Sequence, residues 1–175
     1  MKLPRKNVLW LWLSAIVIVI DQITKFFVAR DLERFESIPV MPHFNLVKLH
    51  NTGAAFSMFN KAPAAVFVLL GAAVSIGILW WLRRNPIGHR LLAAAFSLIL
   101  GGALGNAIDR VVRGYVVDFV QFYVGSWSFA AFNVADTAIT IGAGLLILDM
   151  VLESVRGKAA QPTEMSKPET PPAAP

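Results

Sequence analysis

At 175 residues, with 56% hydrophobic and only 15% charged and a mean hydropathy of +0.60, the chain excludes both an ordinary soluble domain and a disordered one. A small soluble domain carries roughly a quarter of its residues charged. The formal net charge of +5 does not indicate nucleic acid, because the 16 Lys and Arg are scattered among apolar blocks rather than gathered into a stripe with stacking aromatics. Cysteine is absent, which removes disulfides, thiolate nucleophiles and cysteine-bound metals.

Apolar runs of about 20 residues, enough to cross roughly 30 Å of hydrocarbon as helix, fall near 8–28, 63–82, 91–110 and 134–152. The expected fold is mainly α, a bundle of four transmembrane helices in one membrane domain over 1–155, with short β or extended segments at one surface. The first run follows Lys2, Arg5 and Lys6 as a secretory signal would. It passes Asp21-Gln22 and Phe26-Phe27 without a small-residue cleavage site, so it is read as retained. In segment 29–62, residues 38–59 mix β-branched, aromatic and polar types with prolines that bar a long helix. The second run is free of charge from Ala62 to Leu82. A short basic link, Arg83-Arg84-Asn85-Pro86-Ile87-Gly88-His89-Arg90, leads into the third. Segment 111–133 holds Tyr115 and Trp127, which suit a membrane interface. Beyond the fourth run, residues 156–175 turn to Lys, Pro, Ala, Glu and Thr and are expected to be a disordered tail. Basic residues at the N-terminus, the 83–90 link and the tail place those on the cytoplasmic side, leaving 29–62 and 111–133 outside.

Ionisable residues inside spans are costly and default to a functional reading. Counting about 1.5 Å per helical residue from Val8 puts Asp21 roughly 20 Å up, with Lys25 a turn higher. Asp109 and Arg110 end the third span, Asp136 begins the fourth, and Asp118 lies in the outer segment between them. These residues can therefore share one outer layer, with only Asp149 at the inner end. Asp21 and Lys25, at i and i+4, can neutralise each other, and Asp109-Arg110 can anchor a helix end. Asp118 and Asp136 have no adjacent base. Two poorly solvated carboxylates share a proton and so split into an acid and a base, which would activate water against an amide carbonyl. Paired membrane acids also serve proton and cation pathways, so spacing leaves a hydrolase and a small proton- or cation-coupled transporter both open. A transporter would need a polar path through both leaflets, whereas the inner halves of spans two and three are nearly pure hydrocarbon.

Other chemistries are weaker. His43, His50 and His89 form no His-Glu-x-x-His pattern, no Gly-x-Ser-x-Gly elbow occurs, and Ser57 near an outer lysine offers only a remote Ser-Lys pairing. Gly101-Gly102-Ala103-Leu104-Gly105 is a Gly-x-x-x-Gly packing motif. Asn51 and Asn133 are either loop caps or members of the site.

The blocks Val-Ile-Asp21-Gln22-Ile-Thr-Lys25, Asn51-Thr-Gly53-Ala-Ala-Phe-Ser57, Gly101-Gly-Ala-Leu-Gly105-Asn106-Ala-Ile-Asp109-Arg110, Val-Val-Asp118-Phe and Phe-Asn133-Val-Ala135-Asp136 closely resemble the lipoprotein signal peptidase (signal peptidase II) family. The resemblance covers about residues 8–150. It implies an aspartic endopeptidase of the bacterial inner membrane with cytoplasmic termini and a site facing the periplasm. Its substrates would be diacylglyceryl-modified prolipoproteins, cut before the lipidated cysteine. Asp118 and Asp136 would be the catalytic pair. Asn51, Gly53, Gly105, Asn106, Arg110, Asn133 and Ala135 match positions lining the substrate site, and Asp21, Lys25 and Asp109 positions that support the pair. The paired-carboxylate chemistry needs no metal or cofactor, the scattered basic residues argue against a nucleic-acid partner, membrane lipids are expected to surround the chain, and the resemblance implies globomycin-type inhibitors across the pair. The chain is expected to act as a monomer. The half-extended outer segments are expected to cover the site. The Gly-x-Gly-Asp signature of presenilin-type proteases is missing.

Overall fold

The computed structural model describes residues 7–53, 62–85 and 88–159. A short 3-10 helix, Asn7–Trp10, leads into α1 (Leu11–Asp31), followed by β1 (Ser37–Met41), β2 (Phe44–Asn51), α2 (Ala64–Arg84), α3 (Arg90–Arg113), β3 (Val116–Val124), β4 (Trp127–Ser128) and α4 (Val134–Ala159). Among the described residues, four helices are long and apolar enough to span a membrane. Leu69, Ile76, Val111 and Met150 are exposed along them, as lipid-facing residues must be. The expected boundary at 155 is corrected: α4 runs on through Ala159, because Leu152, Glu153 and Arg156 are good helix formers and the single Gly157 costs only about 1 kcal/mol. The rest of the predicted tail, 160–175, lies outside the described residues, as do Ala54, Ala55 and Ser57.

Helix α3 is the hub and packs on the other three. Its glycines explain how close the packing is. A Cβ on Gly101 would fall 2.8 Å from Cβ of Val17 on α1, and one on Gly102 only 2.3 Å from the carbonyl oxygen of Ala135 on α4. Small residues thus open two of the hub's three seams, those with α1 and α4. At the end formed by the link between α2 and α3, Ile78, Leu82, Ala93 and Leu100 form a buried apolar cluster, and Asn7 Nδ2 donates to the Asn85 carbonyl at 3.4 Å.

The opposite end carries an antiparallel sheet in the order β1-β2-β3-β4. Pro42 and His43 turn β1 into β2, with His43 in the left-handed region at φ 70, and the Tyr123 N–H donates to the His43 carbonyl at 3.1 Å. Two irregularities shape this sheet. Between β2 and β3 the register shifts between Leu46 and Leu49, so that Leu49 faces Asp118 and Asn51 faces Val116. On the other edge of β3, the consecutive N–H groups of Phe119 and Val120 both donate to the Phe132 carbonyl, at 3.0 and 2.9 Å, the signature of a bulge. Lys48 fixes the sheet to the bundle by donating to the carbonyls of Ala29 and Leu32, both at 2.6 Å, at the unsatisfied C-terminal end of α1. Strand β2 is therefore zipped to β3 as a wall of the site, and residues 54–59 of the segment expected to cover it lie outside the described residues.

Candidate active site

Three helices and one strand deliver charge to the junction of bundle and sheet. Lys25 is fully buried, and its ammonium donates to Asp21 Oδ2 at 2.8 Å, Asp109 Oδ2 at 3.0 Å and Asn106 Oδ1 at 2.9 Å. All three of its donors are thus used. Asp21 reaches Lys25 because Gly105 carries no side chain: a Cβ there would fall 2.7 Å from Asp21 Oδ2. Its other oxygen accepts from the Ala135 N–H at 2.9 Å, in the first turn of α4, where backbone donors lack helical partners. Asp109 also accepts from Arg113 and from the Val117 N–H at 3.2 Å, which locks β3 onto α3.

Asn106 passes this cluster on to Asp136. Its oxygen accepts a hydrogen bond from the Lys25 ammonium, which orients its Nδ2 toward Asp136 Oδ1 at 2.7 Å. Asn133 is the second organiser. It precedes α4 and forms a reciprocal cap with Asp136: Asp136 N–H donates to Asn133 Oδ1 at 3.0 Å, and Asn133 N–H donates to Asp136 Oδ2 at 3.2 Å. The same Asn133 donates through Nδ2 to Asp118 Oδ1 at 2.7 Å, while Asn51 Nδ2 donates to Asp118 Oδ2 at 3.0 Å. One asparagine therefore grips both carboxylates. Asn51 also accepts from the Gly53 N–H at 2.9 Å, so both asparagines act at once as loop caps and as site residues.

Among the described residues neither Asp118 nor Asp136 makes an ion pair. Burial, reinforced by the neighbouring Asp136 charge, pushes the Asp118 carboxyl up to about 7 against the opposing pull of the Asn51 and Asn133 hydrogen bonds. Such a carboxyl holds its proton near neutral pH. Arg110 does not pair with its sequence neighbour Asp109. Neighbouring helix positions point in different directions, and Asp109 faces Lys25 and Arg113 instead. Arg110 donates to the Gly53 carbonyl at 2.6 Å and stands 4.9 Å over the Phe67 ring.

Two cavities open onto these groups. The larger, about 580 Å³, is reached by Asn106, Arg110 and Asp136 and walled by Phe67, Ile139 and Ile141 among others. The second, about 430 Å³, lies against the sheet and contains Asp118 and Gln121. Asn51 and residues 129–131 border both. The model of the family described as Signal peptidase (SPase) II matches residues 13–152. This chain belongs to the signal peptidase II family. The membership makes it a multi-pass membrane protease and supports the peptidase reading over the transporter. Proteins named lipoprotein signal peptidase are similar along most of their length. The one from Alteromonas mediterranea is 47% identical, covering 81% of this chain and 79% of the relative. The one from Acinetobacter baylyi is 46% identical over 89% of each, and the one from Hydrogenovibrio crunogenus 41% over 94% and 98%. A solved structure described as a bacterial membrane enzyme by the in meso method superimposes with a TM-score of 0.79 at 28% identity, covering 93% of this chain and all of the other.

Within this signal peptidase II chain the predicted site residues Asp21, Lys25, Asn51, Gly53, Gly105, Asn106, Asp109, Arg110, Asp118, Asn133, Ala135 and Asp136 all fall in one connected region. Sequence reasoning passed over two members. Gln22 donates to Asp21, to the Gly105 carbonyl and to Asp109 at 3.2, 3.2 and 3.3 Å. Arg113 is the second cation on Asp109, and its i+4 spacing was the available signal. Asp149 lies far along α4 from the site. His43 sits in the sheet turn, His50 stacks on Tyr115 with ring centres 3.8 Å apart, and His89 packs edge-on against Trp81, so the histidines are dispersed.

Proposed function

We propose that this chain is a lipoprotein signal peptidase of the aspartic type, cutting diacylglyceryl-modified prolipoproteins before the lipidated cysteine, with Asp118 and Asp136 as its catalytic pair. The observation that carries the reading is the shared grip of Asn133 on both carboxylates, beside a cavity with apolar walls. Asp118 holds the proton and Asp136 accepts one from water. The water oxygen attacks the scissile carbonyl carbon as Asp118 protonates the carbonyl oxygen. Collapse of the tetrahedral intermediate breaks the C–N bond. One proton returns to Asp118 while Asp136 passes its own to the leaving amine, so both groups are restored. Asn106 and the first turn of α4 hold Asp136 in place. Asp21, Lys25 and Asp109 act through Asn106 and Ala135 as positioning residues, and Arg110 is placed to meet substrate in the larger cavity.

The sheet end is assigned to the periplasm and the chain to the bacterial inner membrane, supported by Arg83, Arg84 and Arg90 at the other end. Both carboxylates come from one chain, which supports a monomer. Globomycin-type inhibitors would lie across the pair. The test is cleavage of a diacylglyceryl-modified prolipoprotein by wild type, Asp118→Asn and Asp136→Asn, each shown to be folded in detergent, with a chelator-treated control. Both variants should lose at least about 100-fold in turnover, and the chelated wild type should stay active. Substantial cleavage by either variant would remove that aspartate from the mechanism.

A further inference from the structure

The two carboxylates open into different spaces, Asp136 into the larger cavity and Asp118 into the one against the sheet. A polypeptide whose scissile bond touches both must pass Asn51 and residues 129–131 from one cavity to the other. The larger cavity is walled by apolar side chains from α2 and α4 and suits the membrane-embedded part of a substrate. The sheet-side cavity lies beyond the helix ends and contains Leu49, Gln121 and Ser128 beside Asp118, which suits the part that continues into water.

Gln121 stands out in this second space. The bulge at Phe119 and Val120 resets the alternation of β3, so Gln121, three positions beyond Asp118, lines the same cavity as Asp118 rather than the opposite face. It is half-buried. While Asp118, Asn51, Asn106 and Asn133 are bound into the network, the Gln121 side chain makes no hydrogen bond among the described residues. A carboxamide offers a donor and an acceptor on one planar group, the complement of a peptide unit, and can hold a backbone whatever side chains that backbone carries.

We propose that the sheet-side cavity is the subsite for the polypeptide that follows the cleavage point, and that Gln121 grips its backbone there. Strand geometry sets the register. Because the bulge makes two residues of β3 stand where one would, Asp118 and Gln121 are about two strand positions apart, about 7 Å at about 3.3 Å per residue, so Gln121 meets the peptide unit about two residues past the scissile bond. This enzyme therefore recognises lipoproteins partly by the extended chain beyond the lipidated cysteine. The inference rests on the peptidase reading above.

The test is steady-state kinetics of wild type and Gln121→Leu on lipidated substrates in which each of the first four peptide units after the cysteine is replaced in turn by an ester. A further substrate ends in an amide directly after the cysteine. On the all-amide substrate Gln121→Leu should raise KM about five-fold, the worth of one ordinary hydrogen bond, with kcat unchanged. In wild type the ester at the second or third unit should cost a similar factor, and in Gln121→Leu it should cost little more. The truncated substrate should be cleaved equally by both enzymes. Unchanged KM in Gln121→Leu, ester penalties of equal size in both enzymes, or slow cleavage of the truncated substrate by the variant would each overturn the proposal. Failure of wild type to cleave any of these substrates would instead overturn the peptidase reading itself.

Discussion

Replacing Lys25 by Met removes the cation from a balanced cluster. Asp21 and Asp109 carry two negative charges, and Lys25 and Arg113 two positive ones. Lys25, Asp21 and Asp109 are all fully buried, whereas the Arg113 side chain is 23% exposed. Losing Lys25 leaves one uncompensated carboxylate in a poorly solvated site, and removing one partner of a buried pair costs about 3–5 kcal/mol. The double variant Lys25→Met/Asp21→Asn restores neutrality through Asp109 and Arg113, so it should regain about 2 kcal/mol or more relative to the single variant. Activity should not return with stability. In both variants Asn106 has lost the shorter of the two donors to its oxygen, keeping only Asn133 Nδ2 at 3.3 Å, and Asp136 has a less firmly oriented partner. The assay is equilibrium unfolding in detergent micelles, paired with turnover of a lipidated substrate. A single variant within 1 kcal/mol of wild type, or a double variant no more stable than the single one, would refute the charge argument.

Two further expectations follow from the same geometry. Gly102→Ala pushes a methyl group against the Ala135 backbone, which cannot rotate away, whereas Gly144→Ala meets nothing within 4 Å. Thermal unfolding should show the first destabilised by about 1–3 kcal/mol and less active, and the second unchanged or stabilised by up to about 1 kcal/mol; the reverse order would contradict the packing. Because the Asp118 carboxyl rises from 3.8 to about 7 on folding, the folded chain keeps a proton that the unfolded chain has already released between those values. Stability should therefore fall as pH rises from about 4 to about 7, and Asp118→Asn should make that slope shallower. In the same reading kcat/KM of wild type should decline as pH passes about 7, when Asp118 loses its proton. A wild type and an Asp118→Asn variant with the same pH slope would dismiss the raised carboxyl.

The helices were legible because hydrocarbon imposes a length and excludes charge, so the interruptions at Asp21, Asp109 and Asp136 stood out, and counting residues from the basic ends gave them a common depth. Pairing was less legible. Asp109 and Arg110 are neighbours in sequence, yet the helix turns them apart and gives Asp109 to Lys25 and Arg113. The two tasks of Asn51 and Asn133 were hidden because any loop asparagine can cap a turn, and only the distance from Asn133 to β3 reveals its second grip. The sheet register was hidden too. Its two irregularities shift which residues share a face, and β-branched runs such as Val116-Val117 carry no mark of where a bulge will fall. Gly105 read as a packing residue, and the structure adds that the space it leaves is filled by the Asp21 carboxylate.

The reciprocal cap at the head of α4 also sets an order of assembly. Asp21, Lys25, Asn106 and Asp109 lie on α1 and α3 and can find one another before the last helix has been synthesised. Asn133, Ala135 and Asp136 arrive only with that last helix, and its docking at once caps its own first turn, engages Asp21 and brings Asn133 to Asp118. If Asp118 and Asp136 are the catalytic pair proposed above, a nascent chain halted short of α4 carries its buried charges already reconciled but has no cutting centre. On that proposal proteolytic competence begins only when α4 docks, and incomplete chains pose no hydrolytic hazard to the membrane that holds them.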